Sequence, residues 1–388
     1  MGYAFLPVDG LDWLCRVAGN AVVALALAPG ASHARRWFST DGSEFAVLDQ
    51  QGKRIGHYRL LPDAPWFEPA RPPATLPKGC MAHAVLVHRG MLLAGGHSEH
   101  GEALWLRQPG RQPDWLPVAL PPGLGRRGKA IDALYVRGRE LVAIDNILQP
   151  KWILVYPLEP ALDAAGVQKF PLASHTTYET IRRAAEGPGV YALLSQGYNH
   201  DITSCFLSLV GKDDLREIGC WGGIREPSTQ DLVDDVYCHL MLGDDFLVSD
   251  VEGESGEPSE LQLVTATLQE WSKRQRRNPN KHGKVLAAIT GMVFCDSFLV
   301  LALGTKGMAV SAPIPAKARS SEGADPYSDP FRQVALQSLT AVNALYCVGG
   351  EVSGLYAIGT DCNGRSAYEW IAADRLRDAQ AGMPLRRE

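Results

Sequence analysis

A short apolar strand, a tight turn built on Gly or Asp, and a second apolar strand ending in polar residues recur seven times along this chain of 388 residues. The clearest copies read ALYVRGRELVAIDN from Ala133, ALYCVGGEVSGLYAIGTD from Ala344 and AVLVHRGMLLAGGH from Ala84, with weaker ones near Leu14, Ile181, Val236 and Met292. Most steps between copies are about fifty residues, the length of one four-stranded antiparallel module and longer than the common helical repeats. The strands are short, bounded by turn residues and rich in β-branched and aromatic side chains. With 39 Gly and 26 Pro the chain has the turn residues that so many hairpins need.

The strands sort into modules at residues 11–61, 81–120, 129–172, 178–222, 231–272, 284–339 and 340–375, forming a single domain over 1–388 that ends in a polar tail, 376–388. The first module carries a polar insert at 32–40, and a Pro-rich linker at 62–77 separates it from the second. The seventh supplies only three strands, so the leading GYAFLPV (residues 2–8) is expected to pair as its outer strand and close the last module. This pattern resembles the seven-bladed β-propeller class over nearly the whole chain, which implies an all-β fold of four-stranded antiparallel blades. The WD dipeptide with a Gly-His partner at the required spacing is absent, and so is the paired-glycine pattern of kelch blades, so the resemblance carries over no functional residues.

A formal net charge of −5 gives no general attraction to nucleic acid or to an anionic membrane, and neither is expected as a partner. The N-terminus lacks the basic start and continuous apolar run of a secretory signal, and no apolar stretch is long enough to span a bilayer, so the chain is expected in the cytoplasm. Eight cysteines are scattered without a CxxC pair and read as thiols in strands rather than a disulfide framework.

Charge is strongly segregated in one region. Twelve acidic residues and no Lys or Arg lie between Glu226 and Ser272, and six basic residues with no acid follow from Lys273 to Lys284. Clustered charge of one sign steers complementary proteins, so Asp250, Glu252, Glu254, Glu257 and Glu260, with Arg274, Arg276 and Arg277 beside them, are the expected partner-binding residues. Trp152 and Tyr198, next to loops of the same expected face, join them as aromatic contacts. Nucleophile elbows, P-loops and dinucleotide fingerprints are missing; Gly123-Leu-Gly125-Arg-Arg-Gly128 fits GxGxxG only formally, following a Pro-rich loop and preceding a strand. The expectation is therefore a protein-binding propeller without cofactor or catalytic residues, of the kind that neutralises a basic toxin or effector as an inhibitor or immunity-type protein. The alternative is a calcium- or zinc-dependent hydrolase or lactonase at the channel mouth, with Asp132, Asp145, Asp361, His97 and His100 as candidate ligands.

Overall fold

The computed structural model describes residues 2–31, 34–108, 110, 114–121, 130–145, 151–172, 178–199, 202–222, 247–249, 259–260, 283–286, 289–305, 307–314, 331–348 and 354–381. It is almost entirely β, with a single helix at Ala373–Gln380 among the described residues, and none is long and apolar enough to cross a membrane. The fold class is the seven-bladed β-propeller, and the chain divides into two compact units.

The first unit holds four sheets. Blade I is three-stranded, Gly2–Val8, Leu11–Ala18 and Ala21–Leu27; blade II is Arg35–Phe38, Glu44–Leu48, Arg54–Leu60 and Phe67–Thr75. Blade III is Cys80–His88, Met91–Ser98, Leu104–Arg107 and Trp115–Pro117, and blade IV is Ile131–Arg137, Glu140–Asp145, Trp152–Pro157 and Gln168–Pro171. Each four-stranded blade is a simple antiparallel meander, and the first strands of blades II, III and IV run side by side. Alternate residues of facing sheets fill the spaces between blades, as where Ala84, Leu86 and Leu93 of blade III meet Leu134, Leu141 and Ala143 of blade IV.

The second unit holds blade V (Tyr178–Gly187, Val190–Asn199, Ile202–Gly211, Glu217–Gly222), blade VI (Gly291–Cys295, Phe298–Ala302, Met308–Pro313, Arg332–Val334) and the three-stranded blade VII (Leu339–Val348, Gly354–Asp361, Ser366–Ala372). Blades V and VI pack directly on each other. Leu194, Leu207 and Leu209 share one core with Phe294, Leu299 and Leu301, and the Arg183 Nε donates to the Ile289 carbonyl at 3.1 Å.

The count of seven holds, but its partition differs from the expectation in three ways. Residues 2–75 form two sheets, not one module with a detached leading strand. Strand Gly2–Val8 pairs with Leu11–Ala18 over its whole length, from Gly2↔Val17 to Val8↔Leu11, and so belongs to the first blade, not the last. Its Phe5 ring stacks on Phe38 of blade II at 5.0 Å. The supposed polar insert contains strand Arg35–Phe38, whose Arg36 reaches Asp12 at 2.8 Å, and the supposed linker is the strand Phe67–Thr75. Proline is tolerated there because this is an outer strand, where one edge needs no ladder donor.

The expected blade at 231–272 lies mostly outside the described residues. Within it, among the described residues, Leu247–Ser249 and Ser259–Glu260 pair with Gly283–Leu286, and blades V and VI contact each other directly. Finally, the tail begins as a helix, with Ala373 and Leu376 buried. Leu376 fills the core that blades VI and VII share, which anchors the helix.

Candidate functional site

Bulges in the first strands create the most distinctive polar geometry of the molecule. The register to the second strand shifts between Ala82 and Ala84, between Ile131 and Ala133, between Ile181 and Arg183, and between Val342 and Ala344. The skipped residues are His83, Asp132, Arg182 and Asn343; His83, Asp132 and Asn343 each stand just before the apolar start of a clear repeat copy. A bulge leaves its extra residue out of the ladder and re-aims its side chain. The repeat thus carries a variable polar position about every fifty residues, on an otherwise apolar scaffold.

In the first unit three consecutive blades bring such groups together. The His83 Nδ1 lies 3.0 Å from Asp132 Oδ1, with side chains 30% and 19% exposed, so the pair is in reach of solvent. On its other side the His83 Nε2 is 2.7 Å from His97 Nδ1. A proton on His83 Nδ1 satisfies the carboxylate, and its Nε2 then accepts from His97 Nδ1–H, leaving the His97 Nε2 as a free acceptor in this chain of bonds. Arg35 from blade II donates to the His83 carbonyl at 2.8 Å and the Ala82 carbonyl at 3.2 Å, fixing the backbone of the bulge. Burial lowers the Arg35 pKa, against the raising effect of Asp132 and Asp49.

Burial, and then His83, hold the His97 imidazole below the usual histidine range, while Asp132 pulls in the opposite direction. With a folded pKa below the unfolded value of about 6.5, this group stabilises the fold fully above that pH, and the contribution is lost as pH falls through the window beneath it. By imidazole NMR, His97 is expected to titrate below about 6.5. Asp132→Asn should lower the midpoint further, and an unmoved midpoint would remove Asp132 from the network.

The other histidines of the sequence cluster go elsewhere. His57 is buried against Glu44 at 3.1 Å, His88 meets Thr40 at 3.0 Å, and His100 is exposed in the turn after Ser98. His97 and His100 therefore do not act as a pair. Asp145 is 1% exposed at the end of its strand, and Asp361 accepts from the backbone N–H of Asn363 and Arg365 at 2.8 Å, a turn of its own making. Asp132 and His97 are brought into one network; no group of three His, Cys, Asp or Glu that could hold a metal occurs among the described residues.

Trp152 lies half-buried in the third strand of blade IV, packed on its core with Lys169 Nζ 5.1 Å over its ring. Asp250, Glu252, Glu254, Glu257, Arg274, Arg276 and Arg277 lie outside the described residues. Glu260 and Tyr198 are described only as strand positions. The sequence reading missed Arg35 and the role of His83. The signal was present in the three clear repeat copies, where the residue before the apolar start is the polar His83, Asp132 or Asn343.

No family model matches the sequence, and no curated protein matches it. Among solved structures the chain is similar to Sqt1 of Saccharomyces cerevisiae, at 10% identity and a TM-score of 0.45, covering 96% of this chain and 98% of that one. It is also similar to BBS1N, solved in complex with ARL6DN, at 12% identity and a TM-score of 0.40, covering 95% and 93%. The N-terminal domain of Nup159 matches at 11% identity and a TM-score of 0.34, covering 88% and 89%.

Proposed function

We propose that this propeller is a non-catalytic binding protein whose charged segment, residues 226–284, engages another protein. The observation that carries the reading is the direct packing of blades V and VI, which flank that segment in sequence. A stretch of some sixty residues, with its acids and bases sorted into two blocks and lying in sequence between two blades that touch, is available for recognition. Its acidic block, with Asp250, Glu252, Glu254, Glu257 and Glu260, suits a basic partner, and Arg274, Arg276 and Arg277 give the contact a second, opposite edge. A basic toxin or effector neutralised in the cytoplasm, by an inhibitor of the immunity type, is the specific form of this reading.

The same reading predicts an interaction dominated by rim electrostatics. The triple variant Glu252→Lys, Glu254→Lys and Glu257→Lys should weaken binding of a protein recovered from the native cell by about tenfold or more, chiefly through a slower association rate, with the melting temperature unchanged. Surface plasmon resonance at two salt concentrations checks both parts. Full affinity in the triple variant would overturn the assignment of the acidic block.

A further inference from the structure

Blades VI and VII meet at a pair of cysteines. Cys295 ends the first strand of blade VI, and Cys347 is the penultimate residue of the first strand of blade VII. These two strands are neighbours, and both residues face the core that the blades share, Cys295 fully buried and Cys347 partly exposed. Both thiols lie in this one core, near enough that a hydrogen bond between them is the leading influence on the acidity of each. Cys347 also donates toward the Gly354 carbonyl at 3.7 Å. Among the described residues Cys15 and Cys80 are buried in the first unit, Cys80 beside Glu102, and Cys362 is exposed in a turn.

The two members of the pair are inequivalent. The hydrogen bond from Cys295 lowers the Cys347 pKa, against burial and the nearby Asp296, whereas the same bond and then burial raise Cys295. The more accessible sulfur is therefore the one that ionises more readily of the two.

We propose that Cys295 and Cys347 are a redox-modification site, oxidised by peroxides to a disulfide that joins blades VI and VII. The Cys347 thiolate attacks one peroxide oxygen, the O–O bond breaks, and with one proton taken up the products are water and a sulfenic acid on Cys347. The Cys295 sulfur then attacks the Cys347 sulfur, losing its proton as the sulfenic hydroxyl leaves as a second water. Two thiols and one hydrogen peroxide thus become one disulfide and two waters. A thiol reductant reverses the step. The link closes a loop of about fifty residues, which restricts the unfolded chain and raises the stability of the second unit.

The test is hydrogen peroxide treatment of the full chain, alkylation of remaining thiols, and peptide mass spectrometry without reduction. A linked peptide containing Cys295 and Cys347, absent in Cys347→Ser and present in Cys362→Ser, is the expected result. The melting temperature of the oxidised wild type should rise by several degrees and return on reduction. Oxidation confined to Cys362, or sulfinic acid on Cys347 with Cys295 still alkylated, would overturn the proposal. Because the wild-type chain supplies the decisive peptide, the result does not depend on the folding of any variant.

Discussion

Gly96→Ala is expected to destabilise the first unit by about 4 kcal/mol or more, the range reserved for changes the backbone cannot absorb. Gly96 sits in the second strand of blade III, opposite Ala82 and beside the bulge that turns out His83. A Cβ there would lie 1.9 Å from the Met81 carbonyl oxygen and 2.7 Å from the Ala82 Cα, both main-chain atoms, so relief requires the first strand to move. Gly359 occupies the same situation in blade VII, where a Cβ would lie 1.8 Å from the Ala341 carbonyl oxygen. The bulge presses one strand onto the other, and glycine is the only residue without an atom in the way. Gly90→Ala makes the control, since that turn glycine has open space and only its positive φ of 74° to lose. It should cost about 1 kcal/mol. Urea unfolding of the wild type and the two variants checks the ordering, and a Gly96→Ala protein as stable as Gly90→Ala would remove the steric role of Gly96.

Glu369→Gln is the second large effect, about 3 kcal/mol, and it acts through charge rather than space. The Glu369 carboxylate, 7% exposed, accepts from the backbone N–H of Gln337 and Ser338 at 2.9 Å, from the Ser338 hydroxyl at 3.1 Å and from Arg375 at 3.1 Å. It ties the last strand of blade VII to the segment entering that blade and to the C-terminal helix. A glutamine offers one acceptor oxygen where four donors converge, and turns an NH2 group toward the rest. Burial alone would raise the Glu369 pKa, but the bonds from Ser338, Gln337 and Arg375 outweigh it and the net shift is downward. With the folded pKa below the unfolded value of about 4.3, the carboxylate stabilises the fold fully above that pH and the contribution is lost as pH falls through the folded pKa. Wild type should therefore lose stability on acidification more steeply than Glu369→Gln. Parallel acid limbs for the two proteins, measured by thermal melts between pH 3 and 6, would show that the clamp does not carry this titration.

Strand content and module length were legible because they rest on local signals. Alternating apolar residues in AVLVH and ALYVR, with turn glycines such as Gly90 and Gly138 between them, specify hairpins wherever they stand. The misread elements broke those local rules for reasons that only their neighbours supply. Strand Arg35–Phe38 opens with two arginines because one binds the carbonyls of blade III and the other Asp12. Strand Phe67–Thr75 holds three prolines because it lies at an outer edge. Of the candidate site, Asp132 and His97 were visible as polar residues in an apolar repeat, yet as metal ligands rather than as the ends of a hydrogen-bonded chain through His83.

The amino-acid sequence by itself determined an all-β chain of repeating hairpins, about fifty residues per copy and seven copies in number, since alternation and turn chemistry act between residues close in the chain. Only the tertiary structure decided which strands share a sheet, so that residues 2–75 make two blades and blades V and VI share one core. Backbone hydrogen bonds pair any strand with any other, and the choice falls to side chains packed from distant parts of the chain. It also decided that His83 meets Asp132. A one-residue bulge moves a side chain out of the alternation, and neither the bulge nor the neighbour it finds is written in the local pattern of the recurring strand-turn-strand unit.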